Sequence, residues 1–122
     1  MRAICAIVLS AFVAQATWAQ PADVARGKEV FKLCEACHTA TKGENLFGPS
    51  LAGVVGRQAG RLPGYNFSEA LASARFKWDR KHLKQWLGDE AKNMVPGTRM
   101  EFPGIGVPGD VDALIAYLAT AK

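Results

Sequence analysis

Cys34-Glu35-Ala36-Cys37-His38 reads as C-x-x-C-H, the signature of covalent haem attachment. Two thiols three residues apart on one turn of chain can add across the two vinyl groups of a single haem. The adjoining imidazole then lies under the iron and takes an axial position. Two other chemistries use paired cysteines. A thioredoxin-like redox pair needs a surrounding βαβ pattern, and no segment of this sequence alternates as a strand. A tetrahedral zinc site needs ligands from a second cluster, whereas the only other cysteine is Cys5 and the only other histidine is His82. The motif and its setting select haem.

The chain's beginning supports export. Met1-Arg2 is a short positive segment, Ala3 to Ala14 is apolar except for Ser10, and Thr17-Trp18-Ala19 offers small residues at the −3 and −1 positions of a cleavage site. Residues 1–19 are read as a secretory signal peptide removed after Ala19, leaving residues 20–122 as one domain. The apolar run is about a dozen residues, and spanning a bilayer takes roughly 20, so no stable membrane insertion is expected. With Cys34 and Cys37 given to haem and Cys5 in the leader, there is no disulfide framework. The expected compartment is the periplasm of a Gram-negative bacterium. The formal charge of +4 is too small and too scattered to suggest nucleic acid.

Four helical stretches emerge from the periodicity. The first spans about Asp23 to Cys34, with Gly27, Val30, Phe31 and Cys34 on one face and Asp23 as N-cap. The second is short, Ser68 to Ala74. The third runs from Asp79 to Leu87, with Leu83, Trp86 and Leu87 sharing a face and Gly88 stopping it. The fourth follows Pro108-Gly109, capped by Asp110, and Val111, Leu114, Ile115 and Leu118 form the cleanest stripe in the chain. Between them lie Gly/Pro-rich loops at 39–64 and 89–109, and long loops of this kind usually carry function or wrap a ligand.

A low-spin haem iron that carries electrons needs a second axial ligand. Met94 and Met100 are the methionines outside the leader, and both lie in the second long loop. In Val95-Pro96-Gly97-Thr98-Arg99-Met100, Pro96 and Gly97 form a turn that can project the following side chains inward.

Over residues 22–121 the chain resembles the class I cytochromes c, close to the mitochondrial and bacterial c2 type. The resemblance rests on Gly27-Lys28 with Phe31, Cys34 to His38, Gly48-Pro49-Ser50-Leu51, Gly56-Arg57, Pro63-Gly64-Tyr65 and Trp78. It continues through Pro96 to Met100 and Leu114-Ile115-Ala116-Tyr117-Leu118. It implies an all-α, single-domain fold of about four helices and long loops wrapped around one haem c, with thioethers to Cys34 and Cys37 and with His38 and Met100 on the iron. It also implies roles around the cofactor. Pro49 would accept the His38 N–H through its carbonyl, and Trp78, Arg57, Ser68 and Thr98 would face the haem propionates. Gly27 and Phe31 would cross Leu114 and Tyr117. The chain departs from the family pattern at Phe67 and Trp86, which stand where tyrosines are common, and by one residue fewer before Gly48 and one more near Glu90.

The function this implies is a one-electron carrier, not an enzyme. Both axial positions would be filled, and His82, expected to be solvated, is the only spare imidazole. A peroxidase would need an open position and a placed acid–base group. The expected partners are redox proteins docking at an exposed haem edge on a monomer. Lys42, Lys92 and Arg99 are the basic groups near that edge. Leu33, Leu46 and Phe47 weaken its charge, so docking is expected to depend little on salt.

Overall fold

The local signals resolve into five helices in the computed structural model, which describes residues 21–122: α1 Pro21–Phe31, α2 Glu69–Ala72, α3 Arg80–Gly88, α4 Ala91–Met94 and α5 Asp110–Thr120. The expected leader and its cleavage point lie outside the described residues. No strand occurs among the described residues. The nearest approach to one is the isolated antiparallel bridge between Gln58 and Lys77, and the all-α class holds.

α1 differs from its expected bounds at both ends. It already includes Pro21, the first described residue. Asp23 is therefore not the N-cap; it sits in the first turn, at the positive end of the helix dipole. The helix ends at Phe31 because the bonding tightens there: the Leu33 N–H reaches the Val30 carbonyl (3.0 Å) and the Cys34 N–H the Phe31 carbonyl (2.8 Å). These are i to i−3 bonds of 3₁₀ type. Cys34 and Cys37 thus ride on a run of turns, closed by the His38 N–H on the Cys34 carbonyl at 2.9 Å.

α1 packs across α5, and Gly27 is the reason the two backbones can approach. A Cβ there would overlap the Ala113 carbonyl and lie 2.7 Å from the Tyr117 Cβ. Phe31 and Tyr117 meet beside it, ring centroids 5.3 Å apart. Asp110, expected as the cap of α5, is its first helical residue. Gly109, at φ 82°, takes the cap position. The buried Asp110 carboxylate is instead gripped by Arg26 of α1 through two 2.9 Å bonds.

α3 starts where the Asp79 carboxylate accepts the His82 N–H at 2.9 Å, and it buries Leu83, Trp86 and Leu87. Gly88 is its last residue rather than the first beyond it. Arg80 and Lys84 tie α3 to Asp112 of α5, at 2.6 and 3.3 Å. α2 is shorter than expected and is capped by Ser68, whose Oγ accepts the Leu71 N–H at 3.2 Å. α4, a single turn, has no counterpart in the sequence expectations, because four residues are too few to show a period. The core joins Val30 and Phe31 to Trp78, Leu83, Trp86, Leu87, Leu114, Ile115 and Leu118.

Candidate functional site

The turn run after α1 delivers His38 to a buried place, 8% exposed. Its Nδ1 lies 2.7 Å from the Pro49 carbonyl. That bond requires the proton on Nδ1 and leaves Nε2 with a lone pair, the form in which imidazole binds a metal. The 46–49 segment is held against the motif by the Gly48 N–H on the Cys37 carbonyl at 2.7 Å. Gly48 must be glycine here: a Cβ would meet the imidazole, 2.7 Å from Nδ1 and 2.9 Å from Nε2. Burial lowers the His38 pKa, the Pro49 bond opposes that, and the nearby Arg57 charge adds to the lowering. The ring is held neutral, as a ligand must be.

Cys34 and Cys37 are free thiols, both half-buried. Burial, with smaller contributions from Glu35 and Cys37, pushes the Cys34 thiol up to about 11. It is a poor nucleophile in the folded chain. Among the described residues no three of His, Cys, Asp and Glu cluster as a metal site, and the paired cysteines have no second set of zinc ligands there.

Met100 follows a turn in which Pro96 and Gly97 are the central residues. The Thr98 N–H bonds the Val95 carbonyl at 3.1 Å, and Gly97 has φ 91°; Pro then Gly at these positions is the type II pattern. The Met100 N–H is accepted by Thr98 Oγ1 at 3.3 Å. Met100 is half-buried against the core, as are Cys34, Leu51, Leu71 and Phe102 from other segments. Met94, at the end of α4, is half-buried in the same core.

Arg57 and Trp78 are brought together by paired backbone. The Trp78 N–H meets the Arg57 carbonyl and the Gly56 N–H the Trp78 carbonyl, both at 2.8 Å. The Arg57 guanidinium is half-buried and donates to the carbonyls of Ser50 (3.1 Å) and Ala52 (3.3 Å); burial lowers its pKa. Trp78 is buried edge-on to Phe76 and Trp86, at 4.9 and 5.0 Å. Ser68 and Thr98 lie on neighbouring segments, joined where Arg99 donates to the Asn66 carbonyl and where Gly97 faces Ala70. Each hydroxyl oxygen accepts one backbone N–H, and neither donates its own proton to a described residue. Phe67 packs edge-on to Tyr65 at 4.8 Å, and the Tyr65 hydroxyl donates to the Phe47 carbonyl at 2.7 Å.

Sequence reasoning passed over one support of this site, the Asn45–Ser50 pair. Asn45 Oδ1 accepts the Ser50 N–H at 2.8 Å, and the buried Ser50 hydroxyl donates to the Thr41 carbonyl at 2.6 Å. Together they fix the main chain on either side of Pro49. A polar pair five residues apart in an irregular loop carries no periodic signal. One expectation is corrected. His82 is not a free solvated imidazole: it stacks on Phe76 (4.8 Å, 11°) with Nδ1 2.7 Å from Asp79.

The donor set fits a haem: one imidazole with a single open nitrogen, two thiols on one turn, a thioether on a separate segment, and half-buried apolar side chains around them.

Comparison with known proteins points the same way. The family model described as Cytochrome c matches residues 24–122. The chain is 48% identical to cytochrome c2 iso-2 of Magnetospirillum fulvum, over 72% of this chain and 91% of that one. It is 44% identical to cytochrome c2 of Rhodopila globiformis, over 85% and 98%. Among solved structures, cytochrome cH from Methylobacterium extorquens is similar with TM-score 0.75 and 50% identity, covering 80% of this chain and 98% of that one.

Proposed function

The chain belongs to the cytochrome c family, and from that membership we propose a periplasmic one-electron carrier with a single haem c, bonded through Cys34 and Cys37 and ligated by His38 and Met100. The haem supplies the one-electron change of its iron; the residues set how readily that change occurs. His38 Nε2 would hold the iron, with donor strength raised by the Pro49 carbonyl on Nδ1. The Met100 thioether, a soft ligand, favours the reduced state and raises the potential relative to two histidines. Ser68, Thr98 and the Trp78 indole N–H are donors suited to the propionates, and Arg57 offsets their charge. His38 and Met100 would both be committed to the iron, which would leave no ligand position for a substrate, and the reading is a carrier rather than an enzyme.

The observation that carries this reading is the buried His38 with Nδ1 committed and Nε2 open, next to two cysteines on one turn. Residues 1–19 act as the export leader, and the mature protein is a monomer. Its redox partners dock where Leu33 (64% exposed) and Phe47 (80% exposed) present apolar surface. Charge steering is reduced there, because Lys92, one of the three basic groups expected near that edge, is paired with Glu90 at 2.7 Å. The test is a visible spectrum of the ferric protein with and without Met100→Ala. The native protein shows the methionine-to-iron charge-transfer band and the variant loses it, while the thioether-bound haem remains. A native spectrum without that band, or one unaltered by the substitution, rejects the ligand pair.

A further inference from the structure

The positive charge, expected from the sequence to be scattered, is gathered in one place. From Arg75 to Lys84 five of ten residues are cations, Arg75, Lys77, Arg80, Lys81 and Lys84, against one carboxylate, Asp79. The rest of the described chain holds nine Lys and Arg against ten Asp and Glu. All five of these cationic residues are exposed. α3 turns Leu83, Trp86 and Leu87 inward, toward the core that Cys34 and Met100 adjoin, so its cations stand on its outer side. α1 and α3 each pack on α5 and not on one another, which sets this face apart from the Leu33 end of α1.

Folding does not ask for this charge. Arg80 and Lys81 open α3, where the helix dipole is positive and cations are disfavoured. The first turn has no acidic residue, and the Asp79 cap on the His82 N–H offsets only part of that cost. Arg80 and Lys84 stand one turn apart, a like-charge i,i+4 pair that weakens a helix. They share the single carboxylate of Asp112, at 2.6 and 3.3 Å. Arg75, Lys77 and Lys81 have no ion-pair partner among the described residues. Local rules broken in this way without a gain in packing mark a surface kept for something else. The exposed large apolar side chains, Leu33, Leu46, Phe47, Val55 and Val107, all lie outside this stretch. A lipid surface is gripped by apolar side chains together with charge, and a uniformly anionic surface would also meet Asp79 and Asp112. A protein can place its carboxylates between them.

We propose that the outer face of α3, with the 75–79 segment that leads into it, docks an acidic protein segment, and that this attachment leaves the Leu33 and Phe47 edge free to exchange electrons. The second half rests on the carrier reading above. The occupant is a holding partner, distinct from the redox proteins that meet the edge. Complementary charge brings it in and fixes its register. Ionic strength tells the two faces apart: attachment between exposed charges is screened by salt, whereas exchange through the apolar edge varies little.

The test uses the holoprotein and a synthetic peptide of alternating Glu and Ala, with affinity read by calorimetry and location by amide chemical shifts. Saturable binding that weakens as salt rises is expected, with the shifts confined to residues 75–84 and the adjoining Asp112. Lys77→Gln with Lys81→Gln should weaken binding about fivefold, the loss of two exposed ion pairs. The same variant should raise the midpoint of chemical unfolding, because it relieves the crowding of like charge. A midpoint that falls shows that the cations serve the fold and overturns the reading. Lys28→Gln with Lys122→Gln, the same loss of charge elsewhere, should leave the affinity unchanged. Equal losses in the two double variants, or shifts centred on residues 33–47, overturn the site. Sedimentation with phosphatidylglycerol vesicles, lost in the first double variant, together with no peptide binding, assigns the face to a membrane and overturns the protein partner. Oxidation of the ferrous protein by benzoquinone, an uncharged reagent, should keep its rate with the peptide bound; a rate that falls with occupancy overturns the separation of the two faces. Absence of the haem spectrum counts against the carrier reading, whereas absence of peptide binding with that spectrum intact counts against this face alone.

Discussion

Replacing Gly48 by alanine puts one methyl group against the imidazole proposed to hold the iron. The added Cβ would lie 2.7 Å from His38 Nδ1 and 2.9 Å from Nε2, where carbon contacts settle at about 3.5 Å or more. Cε1 comes closer still, so the ring must retreat by about 1 Å to restore that separation. A retreat of that size from the 48–49 segment lengthens the 2.7 Å bond from Nδ1 to the Pro49 carbonyl to about 3.7 Å, beyond the range of a hydrogen bond. Losing the bond costs about 1 kcal/mol, and overpacking a tight site adds about 1–3 kcal/mol. The expected destabilisation of the holoprotein is about 2–4 kcal/mol. The potential moves with it. An N–H held by a carbonyl makes imidazole a stronger donor and favours ferric iron, so its loss raises the midpoint. Guanidinium unfolding followed by tryptophan fluorescence gives the first quantity and a spectroelectrochemical titration the second. A variant with native stability and native midpoint would refute the idea that Gly48 exists to seat His38.

At the helix crossing, Gly27→Val drives a branched side chain into the Ala113 carbonyl and the Tyr117 Cβ; a loss of about 1–3 kcal/mol in chemical unfolding is expected, and an unchanged midpoint would contradict the close approach. Lys92 is the lysine best placed in sequence to displace Met100 at alkaline pH, and its pKa is raised by its hydrogen bond and charge pairing with Glu90. Glu90→Gln removes that support, the lysine deprotonates at lower pH, and the loss of the charge-transfer band should begin earlier in a pH titration; Lys92→Ala should delay it. An identical titration in all three proteins would reject Lys92 as the incoming ligand. Docking through apolar surface predicts a shallow salt dependence of the association rate with the native redox partner, made steeper by Leu33→Lys with Phe47→Lys; a steep dependence in the native protein would reject the apolar docking face.

What the sequence made legible was whatever depends on short-range pattern. The α5 stripe of Val111, Leu114, Ile115 and Leu118 survives because every third or fourth position faces one partner helix. Gly27 marked the crossing because only a missing Cβ allows it. The Pro96-Gly97 turn followed from the dihedral preferences of two residues. The misses share a different origin. The end of α1 depended on a switch from i−4 to i−3 bonding at Leu33 and Cys34, which no composition signal announces. Asp110 looked like a cap because its side chain suits one, but Arg26, distant in sequence, competes for the carboxylate. The His82 stack on Phe76 and the Asn45–Ser50 bond are contacts between segments without periodicity, and α4 is too short to have any. For the site, the motif named Cys34, Cys37 and His38, while Pro49, Arg57 and Trp78 came from resemblance, since each acts through a backbone group or a tertiary neighbour.

The most direct measurement is the intact mass of the protein exported by a host competent in haem attachment, recorded after acid denaturation and extraction. The account predicts a polypeptide beginning at Gln20 that carries the mass of one haem, resistant to extraction because Cys34 and Cys37 hold it through thioethers. A polypeptide mass with no added haem and two titratable thiols would contradict it.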